Sequence, residues 1–236
     1  MQYPRIIAHR GGGALAPENT LAGLRLAARL GCRGVEFDVM LSADGVPVLI
    51  HDETLDRTTD GHGPVAAQRF AALRTLDAGI RYGAAYRREP IPTLEEALAL
   101  CAALDLWTNV EIKPSAGRDA ATGAGVGRVL AEQWRGNGVV SSFSAPALAA
   151  ARNAAQHLDF ALLVDVVPAD WQAQLATCGC LALHCRAYAD TTAIAAAGTP
   201  YACYTVNRRH AAERLFAAGA AAIFTDRPDL WSPSEM

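Results

Sequence analysis

The chain has 236 residues, 51% of them hydrophobic, and a formal net charge of -3 at pH 7. That length buries one large core and predicts a single α/β domain over residues 1–236. The weak negative charge gives no basic footprint for nucleic acid, and the longest apolar runs, such as 160–164, are far too short to span a bilayer.

From the start of the chain, Met1-Gln2-Tyr3-Pro4-Arg5 shows no apolar leader core, so a cytoplasmic protein without membrane insertion is expected. Short apolar runs then alternate with alanine-rich helical stretches. Strands are predicted at 6–9, 34–40, 46–50, 108–112, 139–143, 160–164, 180–184, 201–206 and 221–225. Helices are predicted at 20–30, 93–104, 118–134, 145–157, 169–177, 191–197 and 208–218. Asn19-Thr20 can cap the first helix, Thr93 to Glu96 reads as a capping box, and Gly31, Gly198 and Gly219 stop their helices. Alternation of this kind means βαβ units and a parallel sheet.

Nine strands exceed the eight of a closed barrel by one. Only Leu41 to Gly45 separates 34–40 from 46–50, and a parallel crossover needs roughly a dozen residues or more. This pair is therefore read as an antiparallel hairpin. The remaining eight strands predict a distorted (β/α)8 TIM barrel with a hairpin after its second strand. An open doubly wound sheet is disfavoured, because Gly11-Gly12-Gly13 does not match the dinucleotide fingerprint. Residues 56–91 are too long for an ordinary loop and are read as a small insertion capping one barrel end.

Charged residues inside or at the ends of these apolar runs are costly to bury unless paired or bound to metal. Glu36 and Asp38 stand two apart on one strand, so they share a face, as do Glu111 and Lys113 near the end of the next parallel strand. Three carboxylates converging at the C-terminal rim of a barrel repel one another unless a cation joins them. An all-oxygen set favours one divalent cation, Mg2+ or Ca2+, over zinc.

The hairpin turn decides where His51 lies. A two-residue turn at Asp44-Gly45 puts Asp38 opposite His51, and a four-residue turn puts Glu36 there. Both place the imidazole on the carboxylate face; a three-residue turn would break the inference. The neighbouring carboxylate should raise the pKa of His51, whereas a bound metal would lower it. His9 ends the first strand, at the barrel end where active sites sit. Two histidines suit general acid–base chemistry near neutral pH. Arg10 adds an anion fork and Lys113 a point charge, so a phosphate substrate is indicated. Each residue alone has an ordinary explanation as a core histidine, a rim ion pair or a local salt bridge. Their coincidence at adjacent strand ends does not.

Six cysteines in a chain this long do not make a disulfide framework. Cys178, Cys180, His184 and Cys185 lack the usual spacing of zinc arms, and the cysteines of that cluster are read as reduced, buried small hydrophobes. His184 ends a strand and could reach the rim. His62, His157 and His210 are read as structural or solvated.

Several segments, in order, resemble the glycerophosphodiester phosphodiesterase family. They are Ala8-His9-Arg10-Gly11, Pro17-Glu18-Asn19-Thr20, Glu36-Phe37-Asp38-Val39, Asp44 to Asp52, Leu55 to Thr59, Ile91 to Glu96, Val110 to Pro114, Tyr204 to Asn207 and Thr225 to Pro228. The length is similar to that of the short, cytoplasmic bacterial members. The resemblance implies a distorted (β/α)8 barrel with an insertion after His51. It implies Glu36, Asp38 and Glu111 as metal ligands, His9 and His51 as the acid–base pair, and Arg10 and Lys113 on the phosphate. The small-molecule substrate would be a glycerophosphodiester, such as glycerophosphocholine or glycerophosphoethanolamine, cleaved to sn-glycerol 3-phosphate and an alcohol. Tyr204 stands where many relatives carry tryptophan. It keeps an aromatic wall against glycerol or headgroup but adds a hydroxyl.

Two rival readings make different demands. A lyase like phosphatidylinositol phospholipase C should show exposed apolar loops or a basic rim, and a non-catalytic phosphate-ester-binding barrel would not need both histidines. The sequence admits more than one headgroup, either cation, either histidine as the base, attack by water or through a cyclic phosphate, and self-association as a homo-oligomer.

Overall fold

The computed structural model describes residues 2–235. Strand and helix alternate from β1 (Ile6–Ala8) through α1 (Leu21–Leu30), β2 (Gly34–Leu41), β3 (Pro47–Leu49) and the single-turn α2 (Phe70–Leu73). There follow α3 (Leu94–Ala103), β4 (Trp107–Ile112), α4 (Asp119–Gln133), β5 (Gly138–Ser142), α5 (Ala145–Ala154) and β6 (Phe160–Val164). The chain ends with α6 (Trp171–Cys178), β7 (Ala182–Arg186), α7 (Thr192–Ala196), β8 (Tyr201–Tyr204), α8 (Arg209–Ala217) and β9 (Ala222–Thr225).

β1 pairs in parallel with both β2 and β9, which closes the ring. Eight parallel strands form a TIM barrel, and β3 lies outside it, antiparallel to the end of β2. The hairpin is therefore as read from the sequence, but its register is not. Val39 faces Leu49 and Met40 faces Val48, so three residues, Ala43 to Gly45, make the turn. Ser42 closes it, its N–H donating to the Val46 carbonyl at 3.0 Å.

The strands are buried on both sides, as parallel strands covered by helices must be. Outside the ring, residues such as Phe37, Val110, Leu130 and Leu148 pack strands onto helices. Inside, Ile7, Trp107, Val139 and Phe224 meet an alanine from each of β6, β7, β8 and β9. Beside those alanines sits the indole of Trp107, with the Tyr3 ring tilted against it at a centroid distance of 5.1 Å.

The caps form as their sequences predict. The Thr20 hydroxyl accepts from the Gly23 N–H at 3.1 Å. Thr93 and Glu96 cap each other, and the same Glu96 carboxylate takes both ends of the Arg74 guanidinium at 2.6 and 2.7 Å. That fork ties the insertion to α3. The insertion builds an apolar nucleus of Val65, Leu73 and Ile91, joined by Leu55 just before it, packed on Met40, Val48 and Ile50 of the hairpin. It leans over the end of β1, where the Tyr82 hydroxyl donates to the Ala14 carbonyl. Among the described residues, no helix is long and apolar enough to cross a membrane.

Candidate active site

The loop after β1 is wound tightly around β2. Arg10 and Asn19 both adopt left-handed backbone, at φ 52° and 56°. That conformation is disfavoured for non-glycine residues and persists where surrounding bonds over-determine it. Here they do. The Arg10 N–H donates to Glu36 Oε2 at 2.7 Å, and the Gly11 N–H to the Glu36 carbonyl at 2.8 Å. The Asn19 amide brackets Asp38: Nδ2 donates to Oδ2, and Oδ1 accepts from the Asp38 N–H, both at 2.9 Å. At Gly13, φ is 59°, and a Cβ there would lie 2.4 Å from the Asp226 carbonyl oxygen. Only glycine fits between these two loops.

Glu36 and Asp38 project into the C-terminal mouth of the barrel, and the Cα register sets Asp38 beside Glu111. One carboxylate oxygen from each of the three lies within 4.8 Å of the others, a group that could hold a metal ion. Glu36 is 2% and Asp38 1% exposed. Glu36 Oε1 is buried without any hydrogen-bond partner. Such an orphaned oxygen carries a desolvation cost that a cation would offset.

Charge balance in the protein alone is incomplete. Lys113 Nζ stands 3.4 Å from Glu111 and 3.7 Å from Asp38, and Arg10 Nε 3.6 Å from Asp38. Burial, then the Asp38 and Glu111 charges, push the Glu36 carboxyl well above its usual range. Burial and Asp38 push Glu111 to about 7. Burial also acts to raise Asp38, but His51, Arg10 and Lys113 outweigh it and hold that carboxyl below its ordinary value.

Both histidines border this cluster. His9 Nδ1 is 2.6 Å from Asp226 Oδ1, and its Nε2 is 3.9 Å from Glu36 Oε2. His51 Nδ1 is 2.6 Å from Asp52 Oδ1. With the three-residue turn, continued pairing would set His51 opposite Phe37, on the other face of β2 from Glu36 and Asp38. The last ladder bond runs from the Ile50 N–H to the Asp38 carbonyl, and the chain then leaves the sheet. That departure turns His51 into the hollow lined by Glu36, Asp38, Glu111 and Lys113. The expected rise in its pKa is also corrected: burial lowers it, with Arg10 and Lys113 assisting, and Asp38 does not make up the difference.

Behind each imidazole stands a support that the sequence did not reveal. Asp226 accepts from Asn207 Nδ2 at 2.8 Å, while Asn207 Oδ1 accepts from the Asp226 N–H at 2.8 Å. Asp52 accepts from Arg57 at 2.6 and 3.1 Å. Arg57 in turn grips Glu18 at 2.7 Å twice, and Glu18 accepts from Arg10 at 3.0 Å. Asp52 and Asp226 belong to recognisable segments, yet the Asp226 contact spans 217 positions in the chain. No local pattern could have shown it.

Tyr204 lines the hollow beside Phe143, Leu163, Arg186 and Phe224. Its hydroxyl donates to the Val164 carbonyl at 2.8 Å, so the added oxygen is spent on the end of β6. His184 does not reach the rim. It is fully buried inside the barrel, its Nε2 2.9 Å from the Tyr3 hydroxyl and its ring 5.0 Å from Phe224, which separates it from the hollow. Burial depresses its pKa to about 3, so it stays neutral. All six cysteines are buried and free, with Cys185 and Cys203 side by side on adjacent strands at 3.9 Å.

Residues 9–230 match the model of the glycerophosphoryl diester phosphodiesterase family. The chain belongs to this family. A glycerophosphodiester phosphodiesterase of Caldanaerobacter subterraneus is 34% identical over 95% of the chain and 94% of its own length. An Oleispira antarctica phosphodiesterase, solved in complex with its product sn-glycerol-3-phosphate, superposes with a TM-score of 0.92 at 38% identity, covering 96% of this chain and 94% of that one. The glycerophosphodiester phosphodiesterase of Agrobacterium tumefaciens gives 0.78 at 29% identity, covering 98% of each chain. By family and relatives the chain is an enzyme, a glycerophosphodiester phosphodiesterase.

Proposed function

We propose that this enzyme hydrolyses glycerophosphodiesters to sn-glycerol 3-phosphate and an alcohol with the help of one divalent cation, Mg2+ or Ca2+. Glu36, Asp38 and Glu111 would hold the cation, and His9 and His51 would act as the acid–base pair. One observation carries the reading: two imidazoles, each with Nδ1 engaged by its own aspartate, border three clustered carboxylates that include an orphaned oxygen. The all-oxygen donor set fits a hard cation.

When bound, the cation supplies charge stabilisation for the phosphoryl oxygens. Arg10 and Lys113 add cationic contacts to the phosphate. Because Nδ1 is occupied on both rings, Nε2 is the nitrogen left to exchange protons. One histidine takes a proton from the attacking hydroxyl, which is water or the glycerol 2-hydroxyl by way of a cyclic phosphate. The other gives a proton to the departing alkoxide. In the net reaction water's hydroxyl ends on phosphorus and its proton on the alcohol. The ring of Tyr204 serves as a wall for the substrate, its hydroxyl being committed to Val164.

The test is release of sn-glycerol 3-phosphate from glycerophosphocholine and glycerophosphoinositol, in EDTA and then with Mg2+ or Ca2+. Turnover only with a cation is expected. Undiminished turnover in EDTA would remove the cation from the scheme. Loss of Ca2+-induced thermal stabilisation in Glu36→Gln would tie the cation to these carboxylates independently of activity.

A further inference from the structure

Two hollows meet at the mouth of the site. The smaller, about 200 Å³, holds the carboxylates, His51 and Lys113, with Phe143, Leu163 and Phe224 as walls. The larger, about 570 Å³, lies between loop 13–18 and the insertion. His9, Arg10 and Thr205 line both. A phosphodiester carries two alcohol arms on one phosphorus. A phosphate lying at this shared wall sends one arm into each hollow. The three-carbon glycerol arm matches the smaller, and the bulkier headgroup needs the larger.

The charges of the larger hollow are unequal. Arg10, Arg57 and Arg81 face Glu18 and Asp226 there. Glu18 is consumed by Arg10 and Arg57, and Asp226 by His9 and Asn207. Arg57 is held by Glu18 and Asp52. Arg81 has no carboxylate partner among the described residues. Its Nη2 donates to the Asp56 carbonyl at 3.3 Å. A quaternary ammonium would want several aromatic faces and no neighbouring cation. This hollow offers one ring, Tyr82, and a free guanidinium.

We propose that the larger hollow is the subsite for the leaving headgroup, and that Arg81 selects polyol headgroups over quaternary ammonium ones. The inference rests on the phosphodiesterase reading above. A guanidinium donates to hydroxyl oxygens and repels a fixed positive charge.

The experiment compares kcat/KM for glycerophosphoinositol and glycerophosphocholine in the wild type, Arg81→Ala and Arg81→Glu, each with saturating cation. The wild type should favour glycerophosphoinositol. Arg81→Ala should lose about tenfold on glycerophosphoinositol while glycerophosphocholine moves by less than about twofold, the scale of one charged hydrogen bond. Arg81→Glu should reverse the preference. Arg81 is exposed and, among the described residues, its hydrogen bond is to a backbone carbonyl, so both variants should fold. An unchanged ratio in Arg81→Ala, or a wild type that prefers glycerophosphocholine, overturns the subsite while leaving the phosphodiesterase reading intact. A wild type that cleaves neither substrate overturns both.

Discussion

The two histidines are held by similar first contacts and dissimilar supports. Each Nδ1 lies 2.6 Å from an aspartate. Behind His9, that aspartate rests on a neutral amide, Asn207, which also accepts from the Thr225 hydroxyl. Behind His51, the aspartate rests on an ion chain of Arg57, Glu18 and Arg10 that runs through loops. The Asp226–Asn207 support is short and joins two strand ends, so it has few ways to relax. The Asp52–Arg57 support is long, and Arg57 is half-exposed, so it can be rearranged and screened. The two imidazoles thus differ in rigidity more than in geometry.

The comparison can be broken most directly at the rings. His9→Ala and His51→Ala should each lower kcat by about 10³-fold, the scale of a lost acid or base. An unchanged circular dichroism spectrum would show that the fold survives. Residual activity near wild type in either variant would end the acid–base assignment for that residue.

The floor common to both histidines offers the next test. Burial and the Asp38 charge push the Glu111 carboxyl up to about 7, above the ordinary carboxylate value, so the folded state binds the proton more tightly than the unfolded chain. Its contribution is therefore full at low pH and lost as pH rises from about 4.5 through about 7, on the order of 3 kcal/mol. Glu36 acts in the same sense. Asp38 acts oppositely, but below about pH 4. In EDTA, Tm should fall between pH 5 and 7.5. Saturating Ca2+ should raise Tm and abolish the slope, and a flat EDTA profile would contradict the burial argument.

Asparagine at the two supports sharpens the contrast. Asp226→Asn must choose between accepting from His9 and accepting from Asn207, because its second atom becomes a donor. Losing the Nδ1–H acceptor favours the wrong tautomer, and kcat should fall about 100-fold, the upper range for groups that orient a reacting residue. Asp52→Asn faces the same conflict with Arg57, which can swing to solvent, so about tenfold is expected. Equal losses would erase the distinction. The smallest effect is at Arg57→Ala. A half-exposed ion pair contributes about 0–1 kcal/mol, so kcat should change by no more than about fivefold. A larger loss would show that the ion chain holds His51 as firmly as Asn207 holds the other support.

Strand count, the hairpin, the helix caps and the carboxylate face were legible because each depends on a few residues of local spacing. The alternation of Glu36 with Asp38, and the short stretch before Val46, needed no distant information. The register of the hairpin was not legible. Two-, three- and four-residue turns all fit Ser42 to Gly45, and packing of Met40 and Val48 against the insertion accompanies the three-residue form. His51 then reached the site because the ladder ends at Ile50, a feature no periodicity encodes.

By itself the sequence determined that eight parallel strands alternate with helices, and that two histidines and three carboxylates fall at strand ends in the order of a phosphodiesterase. Periodicity and turn length are properties of the covalent chain, so they could be read directly. Tertiary structure alone decided that Asp226 stands behind His9, that Arg57 and Glu18 stand behind His51, and that burial lowers the His51 pKa despite Asp38. It also decided that His184 is sealed below Phe224. These outcomes depend on contacts between segments far apart in sequence and on exclusion of water, and both exist only once the barrel has closed.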